Sequence, residues 1–254
     1  GLRITRYPGE HILETSQQRF LGQAKSVFHL GENNILSAGL EYQYDHLKSP
    51  RRIENGKASV FTASAYVQDE WNPTDRLNVT VGGRFVVHQE FGATFTPKVS
   101  AMYKLGDFNI RATYSNGFKA PTLKELHDDY ITQIGGGPWK HYYGNKDLKP
   151  QKSNYYSASV EYHASNLQIT VTGFYNRIKN MIALTEIPTS AEDRLEEIEA
   201  SMQHKNLSKA RSFGGDISLT YQILSSLAIG GGYSYTDAKA QYTDDPADPN
   251  YMLY

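Results

Sequence analysis

The 254-residue sequence has no cysteine, which excludes a disulfide framework, thiolate zinc sites and cysteine nucleophiles together. It also lacks a net field: 26 Lys and Arg against 27 Asp and Glu leave a formal charge of −1, with the basic residues scattered rather than gathered in a stripe. Nucleic acid is therefore not an expected partner. No apolar run approaches the ~18 residues of a membrane-spanning helix. At 39%, the hydrophobic content is low for an ordinary packed core. If the chain meets a membrane, it must do so with strands.

Aromatics are abundant instead, with 19 Tyr and 10 Phe. Both suit strands, and Tyr suits a boundary that is dry at one end of the ring and wet at the other. Apolar and polar residues alternate with period two: Leu77, Val79, Val81, Phe85 and Val87 interleave with Asn78, Thr80, Gly82 and Arg84, and Leu167, Ile169 and Val171 with Gln168, Thr170 and Thr172. The pattern predicts about ten strands, over residues 19–30, 35–45, 60–71, 76–88, 94–104, 108–118, 154–163, 167–179, 212–223 and 227–236. Most have ten residues or more, the length a tilted strand needs to cross a bilayer at about 9–11 residues. Short turns such as Asn72-Pro73-Thr74-Asp75, Gly106-Asp107 and Ser225-Ser226 alternate with long links over 48–59, 119–153 and 180–211. That is the rim pattern of an up-and-down outer-membrane barrel.

A soluble sandwich also alternates, so aromatic placement has to decide. Trp71, Tyr103, Tyr162 and Tyr221 lie near short turns, and Tyr44, Phe118, Tyr175 and Tyr235 at long-loop ends, all in the apolar row of their strand. Two outward aromatic levels match the girdles at the two lipid interfaces. Arg84, Lys98, Arg111, Glu161 and Asp216 fall in the opposite row, where charge is tolerable only in a wide, wet lumen. The expected fold class is all-β, an antiparallel transmembrane β-barrel. Residues 1–18 read as a strandless polar segment and the sequence ends in the long-loop stretch "TDDPADPNYMLY", so residues 1–254 read as one partial barrel domain. A 22-stranded barrel would take on the order of 550 residues.

Within the longest link, Phe118-Lys119-Ala120-Pro121 stops the alternation, because proline removes a ladder donor and restricts its predecessor. Asn145-Lys146-Asp147-Leu148 followed by Lys149-Pro150 is turn chemistry that restarts pairing. Between these boxes, "HDDYITQIGGGPWKHYY" gathers His127, Tyr130, Trp139, His141, Tyr142 and Tyr143 around a bendable glycine run, an aromatic and imidazole set suited to a planar or chelated ligand. The run is no phosphate loop, and two histidines so far apart do not make a protein metal site. Leu195 and Ile198 among acids predict a short surface helix within 192–201. Asp128 and Asp129, with the acids of "TDDPADP", carry oxygen ligands without the spacing of a calcium loop. Lys48, Arg51 and Arg52 form a small basic patch suited to lipopolysaccharide phosphates or an anionic ligand, with a solvated loop as the alternative.

The paired boxes, with "ASAYVQDEWNPTDRLNVTVGGRF" and "FTPKVSAMYKL", resemble the TonB-dependent outer-membrane receptors over most of residues 36–235. Lys119 stands where that family usually has Arg, Lys146 where it has Pro, and Gln151 where it has Glu. The resemblance implies a receptor in the bacterial outer membrane, bathed in lipid and lipopolysaccharide. It implies import of a scarce small molecule (haem, a ferric siderophore or cobalamin) with energy from the TonB complex, through a plug domain N-terminal to the barrel. It implies no resident cofactor. For haem, His141 would supply an axial nitrogen between Trp139, Tyr142 and Tyr143, while His127 would rather end a short helix. A passive porin or a surface-binding barrel is the rival reading. No Gly-x-Ser-x-Gly or His-Glu-x-x-His stretch supports an outer-membrane esterase or protease.

Overall fold

Alternation of this strength calls for one long sheet, and a computed structural model shows it, describing residues 2–4, 12–53, 55–133 and 136–241. In chain order the strands are β1 (Leu2–Ile4), β2 (Ile12–Leu30), β3 (Asn34–Lys48), β4 (Lys57–Thr74), β5 (Leu77–His88), β6 (Gly92–Leu105) and β7 (Phe108–Lys119), then β8 (Asp129–Gln133), β9 (Trp139–Tyr143), β10 (Gln151–His163), β11 (Leu167–Ile187), β12 (Ala200–Leu224) and β13 (Leu227–Gln241). Two five-residue helices, α1 (Leu123–His127) and α2 (Ala191–Leu195), sit in the long links. Consecutive strands from β1 to β7 pair in order, β7 pairs β10, and β10 to β13 continue the meander. The small hairpin β8–β9 lies beside β12, which β9 joins in parallel. No helix among the described residues is long and apolar enough to cross a membrane.

The register shows why alternation was legible. Leu40, Val67, Val81, Phe95, Val99 and Val171 share the outward face and are 43% to 63% exposed. A sheet that leaves such side chains uncovered is stable only against lipid. One row of Cα partners runs Trp71, Val79, Ala101, Ala112, Ala158, Gly173, Gly215, Tyr235 across eight strands. It starts near a short turn and ends near a long loop, so the strands are staggered and tilted as barrel closure requires. The opposite face carries the polar residues: Arg84 pairs with Glu41 and donates to Ser64 Oγ at 2.7 Å, Arg19 Nε meets Asp45 at 2.6 Å, and Asn78 bonds Glu70 at 2.8 Å. Lys98, Arg111, Glu161 and Asp216 share this luminal parity. Gly39 makes room on it for the Tyr66 ring, which would stand 2.5 Å from an added Cβ.

Three expectations are corrected. Residues 2–4 and 12–18 are strand rather than strandless, because β1 pairs β2 and β2 pairs β3 from Ser16 to Leu30. The link 180–211 is mostly ladder: Met181 to Ile187 pairs Leu207 to Ser201, leaving only residues 188–199 as loop. Beyond the lipid the loops cover parts of both faces, burying Leu207 on one and Ile182 on the other, so that part of the ladder carries no alternation to read. The helix expected within 192–201 is α2, which begins earlier and ends at Leu195, since Glu197 takes a positive φ of 60°. The break turns Ile198 inward at 5% exposure and leaves Leu195 87% exposed. Residues 242–250, with the acids of "TDDPADP", lie outside the described residues.

Candidate functional site

The first box works as the inward bend of the chain. Lys119 is the last ladder residue of β7, opposite Gln151, and Pro121 is buried. Thr122 then caps α1: its hydroxyl accepts from Glu125 N–H at 3.2 Å, and the Glu125 carboxylate accepts from Thr122 N–H at 2.7 Å. This reciprocal box satisfies two orphan donors and fixes a five-residue helix that could not stand alone. Glu125 also meets Lys119 Nζ at 3.5 Å. Phe118 to Lys124 thereby roof a luminal basin of about 570 Å³ whose wall carries Arg19, Gln43, Asp45, Arg84 and His88.

The second box stitches the link down. Leu148, 3% exposed, joins Leu126 of α1 and Ile182 of β11 in a small core against Phe91. Asn145 donates to His204 O at 2.9 Å and accepts from Asp147 N–H at 3.0 Å, and its own N–H reaches Glu125 O at 2.9 Å. Lys149 N–H donates to Asn206 at 2.7 Å. Lys146 is exposed. Both boxes therefore act through structure: one aims α1 over the lumen, the other ties it to β12.

The aromatic and imidazole set splits between the faces of hairpin β8–β9. On one face Tyr130 stacks on Tyr142, centroids 5.1 Å apart, and the Arg52 guanidinium lies 3.8 Å over the Tyr130 ring. On the other, His141 stacks on Tyr143 at 3.9 Å. Its Nδ1 lies 2.7 Å from Asp193 Oδ1 and its Nε2 2.8 Å from Asp129 Oδ1. Tyr143 hydroxyl donates to both Asp193 oxygens at 2.9 and 3.0 Å, and Ser201 hydroxyl donates to Oδ2 at 2.7 Å. Trp139 stands 46% exposed at the hairpin tip, and His127 is the half-buried last residue of α1. The six residues do not converge on one pocket.

Asp193 is the residue that sequence reasoning missed. It is 3% exposed, and its one local signal is the Ser190 cap, whose hydroxyl accepts from Asp193 N–H at 3.0 Å. Burial raises its pKa, but hydrogen bonds from Ser201, His141 and Tyr143 outweigh this and hold it below the ordinary carboxylate value. For His141, burial lowers the pKa, while hydrogen bonds to Asp193 and Asp129 carry it above the usual histidine value. An ionised carboxylate only accepts, so an imidazole between two of them is satisfied on both sides only as imidazolium. As placed, neither ring nitrogen offers a lone pair to a haem iron. Burial and the bond to Asp193 push Tyr143 up to about 12. Burial raises Asp128 to about 6 despite Arg52 and Lys124. A cleft of about 490 Å³ beside these groups carries Arg51, Glu192 and Glu196. Among the described residues no three His, Asp or Glu side chains are grouped to hold a metal ion.

Residues 4–253 match the family model described as TonB dependent receptor-like, beta-barrel. The chain belongs to this family of outer-membrane receptor barrels. The iron-regulated outer membrane virulence protein of Vibrio cholerae is 29% identical over 219 residues, covering 83% of this chain and 33% of the relative. The ferric enterobactin receptor PirA of Pseudomonas aeruginosa is 24% identical over 191 residues, covering 65% of this chain and 26% of the relative. The crystal structure of the siderophore receptor PirA from Pseudomonas aeruginosa superposes with a TM-score of 0.76 at 22% identity, covering 88% of this chain and 43% of that one, and so shares the fold. The chain spans about a third of the length of the first of these relatives. The family is one of receptors and transporters, and its members are proteins of the outer membrane.

Proposed function

We propose that the whole protein is an outer-membrane receptor that captures an iron chelate of the siderophore class and imports it by TonB-dependent transport. The observation that carries this reading is the basin under the first box, where Arg19, Arg84, Lys119 and Lys124 converge at the mouth of the lumen. A ferric chelate bearing anionic oxygens suits such a wall through charge-assisted hydrogen bonds. Related receptors are named for iron regulation and for ferric enterobactin. In this reading the eleven strands of the meander, β1 to β7 and β10 to β13, are part of a barrel of about 22, filled by a plug that contacts TonB, and the outward apolar band contacts outer-membrane lipid.

Of the loop residues, exposed Trp139 meets the ligand first. His127, Tyr130, His141, Tyr142 and Tyr143 hold the loops that frame the basin. Haem is the weaker reading, because His141 spends both nitrogens on carboxylates.

The test is growth of iron-starved cells on a single ferric siderophore, with and without TonB. Growth that needs both the receptor and TonB supports the proposal; receptor-dependent growth that persists without TonB makes the protein a passive porin. Haemin titration separates the cargo: an unchanged Soret band in His141→Ala is the expected result.

A further inference from the structure

The luminal face sorts its charge by wall. On β5, β6 and β7 every charged side chain of luminal parity is a cation: Arg84, Lys98, Lys104, Arg111 and Lys119. On β10 to β13 the same parity holds acids, Glu161 and Asp216 among them, and no Lys or Arg. The column on β5 to β7 runs the length of the wall. Lys119 stands at the long-loop rim, and Lys104 pairs Asn109 beside the short turn Gly106-Asp107. Lys98 lies two residues beyond Thr96, the partner of Arg84, about 6.6 Å down the strand, and Met102, the partner of Arg111, lies four further, about 13 Å. Between them the hydroxyls of Ser100 and Thr113, 3.0 Å apart, offer neutral donors.

Pairing separates the upper cations from the lower ones. Arg84 shares its guanidinium between Glu41 and Ser64, and Lys119 meets Glu125. Lys98, Lys104 and Arg111 are exposed to the lumen and form no ion pair among the described residues; Arg111 donates to Met102 Sδ at 3.3 Å. A wall lined with one sign of charge raises the local concentration of the opposite ion. Single cations at intervals make each stop weak, and several weak stops let an ion leave as readily as it enters. Both steps are comparable with the ~8 Å screening length at physiological salt, so neighbouring fields overlap.

We propose that the cation column of β5 to β7 is the conduit along which an anionic chelate leaves the basin and passes to the short-turn rim. Arg84, on the basin wall, is its first station, Lys98 and Arg111 are the next, and Lys104 stands at the exit. This conduit rests on the transport reading above and adds to it the sign of the cargo's charge and the wall that the cargo follows.

Capture and uptake are measured separately in cells carrying the full receptor, with a ferric tris-catecholate as the probe. In the double variant Lys98→Gln, Arg111→Gln, binding of the chelate to cells without TonB should match the wild type, because neither residue lines the basin. Maximal TonB-dependent uptake should fall roughly thirtyfold, at about fivefold per cation for one contacting negative charge in water. The charge-conserving variant Lys98→Arg, Arg111→Lys should keep the wild-type rate, and so should Asp216→Asn on the other wall. Wild-type uptake in the double variant overturns the conduit. The plug is the rival owner of these cations, and hydrogen exchange of plug amides in the resting full receptor reads it: faster exchange in the double variant than in the wild type assigns the charges to the plug and overturns the conduit as well. A wild-type receptor that binds no chelate, or whose uptake needs no TonB, fails the transport reading itself and takes the conduit with it.

Discussion

Asp193→Ala should release hairpin β8–β9 while leaving the barrel intact. The carboxylate collects three side-chain donors, from Ser201 at 2.7 Å, His141 at 2.7 Å and Tyr143 at 2.9 Å. Bonds to a charged group contribute about 1.5–3 kcal/mol each, and they are not additive when they share an acceptor. Truncation also strands the hydroxyl of Ser201, which is fully buried. Breaking such a buried charged cluster costs roughly 3–5 kcal/mol. At 1.36 kcal/mol per factor of ten, opening of the hairpin should become about a hundredfold to a few thousandfold more frequent. Hydrogen exchange of the residue 139–143 amides in the full receptor reads this, because those residues pair with β8 and β12. The ladders of β3 to β7 share no bond with Asp193 and serve as the internal reference. Protection at 139–143 unchanged within about threefold would refute the assignment of Asp193 as the organising residue.

Hairpin protection should also depend on pH through His141. Its folded pKa is raised, so its contribution is complete below the ordinary value of 6.5 and is lost as pH rises through the folded value. Asp128, raised to about 6, adds in the same sense, because the folded state takes up its proton earlier as pH falls. Burial lowers the pKa of His204, whose contribution has the opposite sign, so His141→Gln isolates the effect: a loss of hairpin protection above pH 6.5 as steep in that variant as in the wild type refutes it. Gly144→Ala should cost roughly 1–3 kcal/mol in local exchange of α1, since the added Cβ would stand 2.5 Å from Leu126 O and 2.6 Å from His127 N, backbone atoms that cannot step aside. Val171→Arg, on the outward face, should lower barrel stability in vesicles by about 2–4 kcal/mol, and Thr170→Arg, in the lumen, by much less. Equal losses in denaturant titrations would undo the assignment of faces.

Most of the sheet was legible because lipid and lumen impose opposite chemistry on successive residues. Val79, Val160 and Val171 fall outward and Thr80, Ser159 and Thr170 inward as their alternation predicts. Legibility ended where that contrast ended. Met181 to Ile187 and Ser201 to Leu207 extend the ladder beyond the lipid, where Gln203 donates to Gly144 O at 3.1 Å and loop residues cover parts of both faces. Ser16 to Gln18 are strand for the same reason and are equally silent. Asn180, at a positive φ of 54°, lies within β11 where this extension begins.

The loop site was legible in its residue types and illegible in its partners. His141 and Tyr143 attract notice because they sit in one aromatic run, whereas Asp193 lies 52 residues from the first and 50 from the second. Within its own segment Asp193 is one acid of several, and only the Ser190 cap marks the helix start. Burial of that carboxylate is decided by β12, whose parallel seam with β9 carries Ser201 opposite His141. The ring that seemed free to meet a ligand is thereby claimed by two carboxylates. A histidine followed by two tyrosines therefore announces a cluster, and only the chain that returns beside it determines whether its nitrogens face cargo or protein. Here they face protein, which moves the search for cargo inward to the basin beneath Pro121, where Arg84 shares its guanidinium between Glu41 and Ser64. An anionic ligand there would compete with Glu41 for a cation already positioned by the barrel wall.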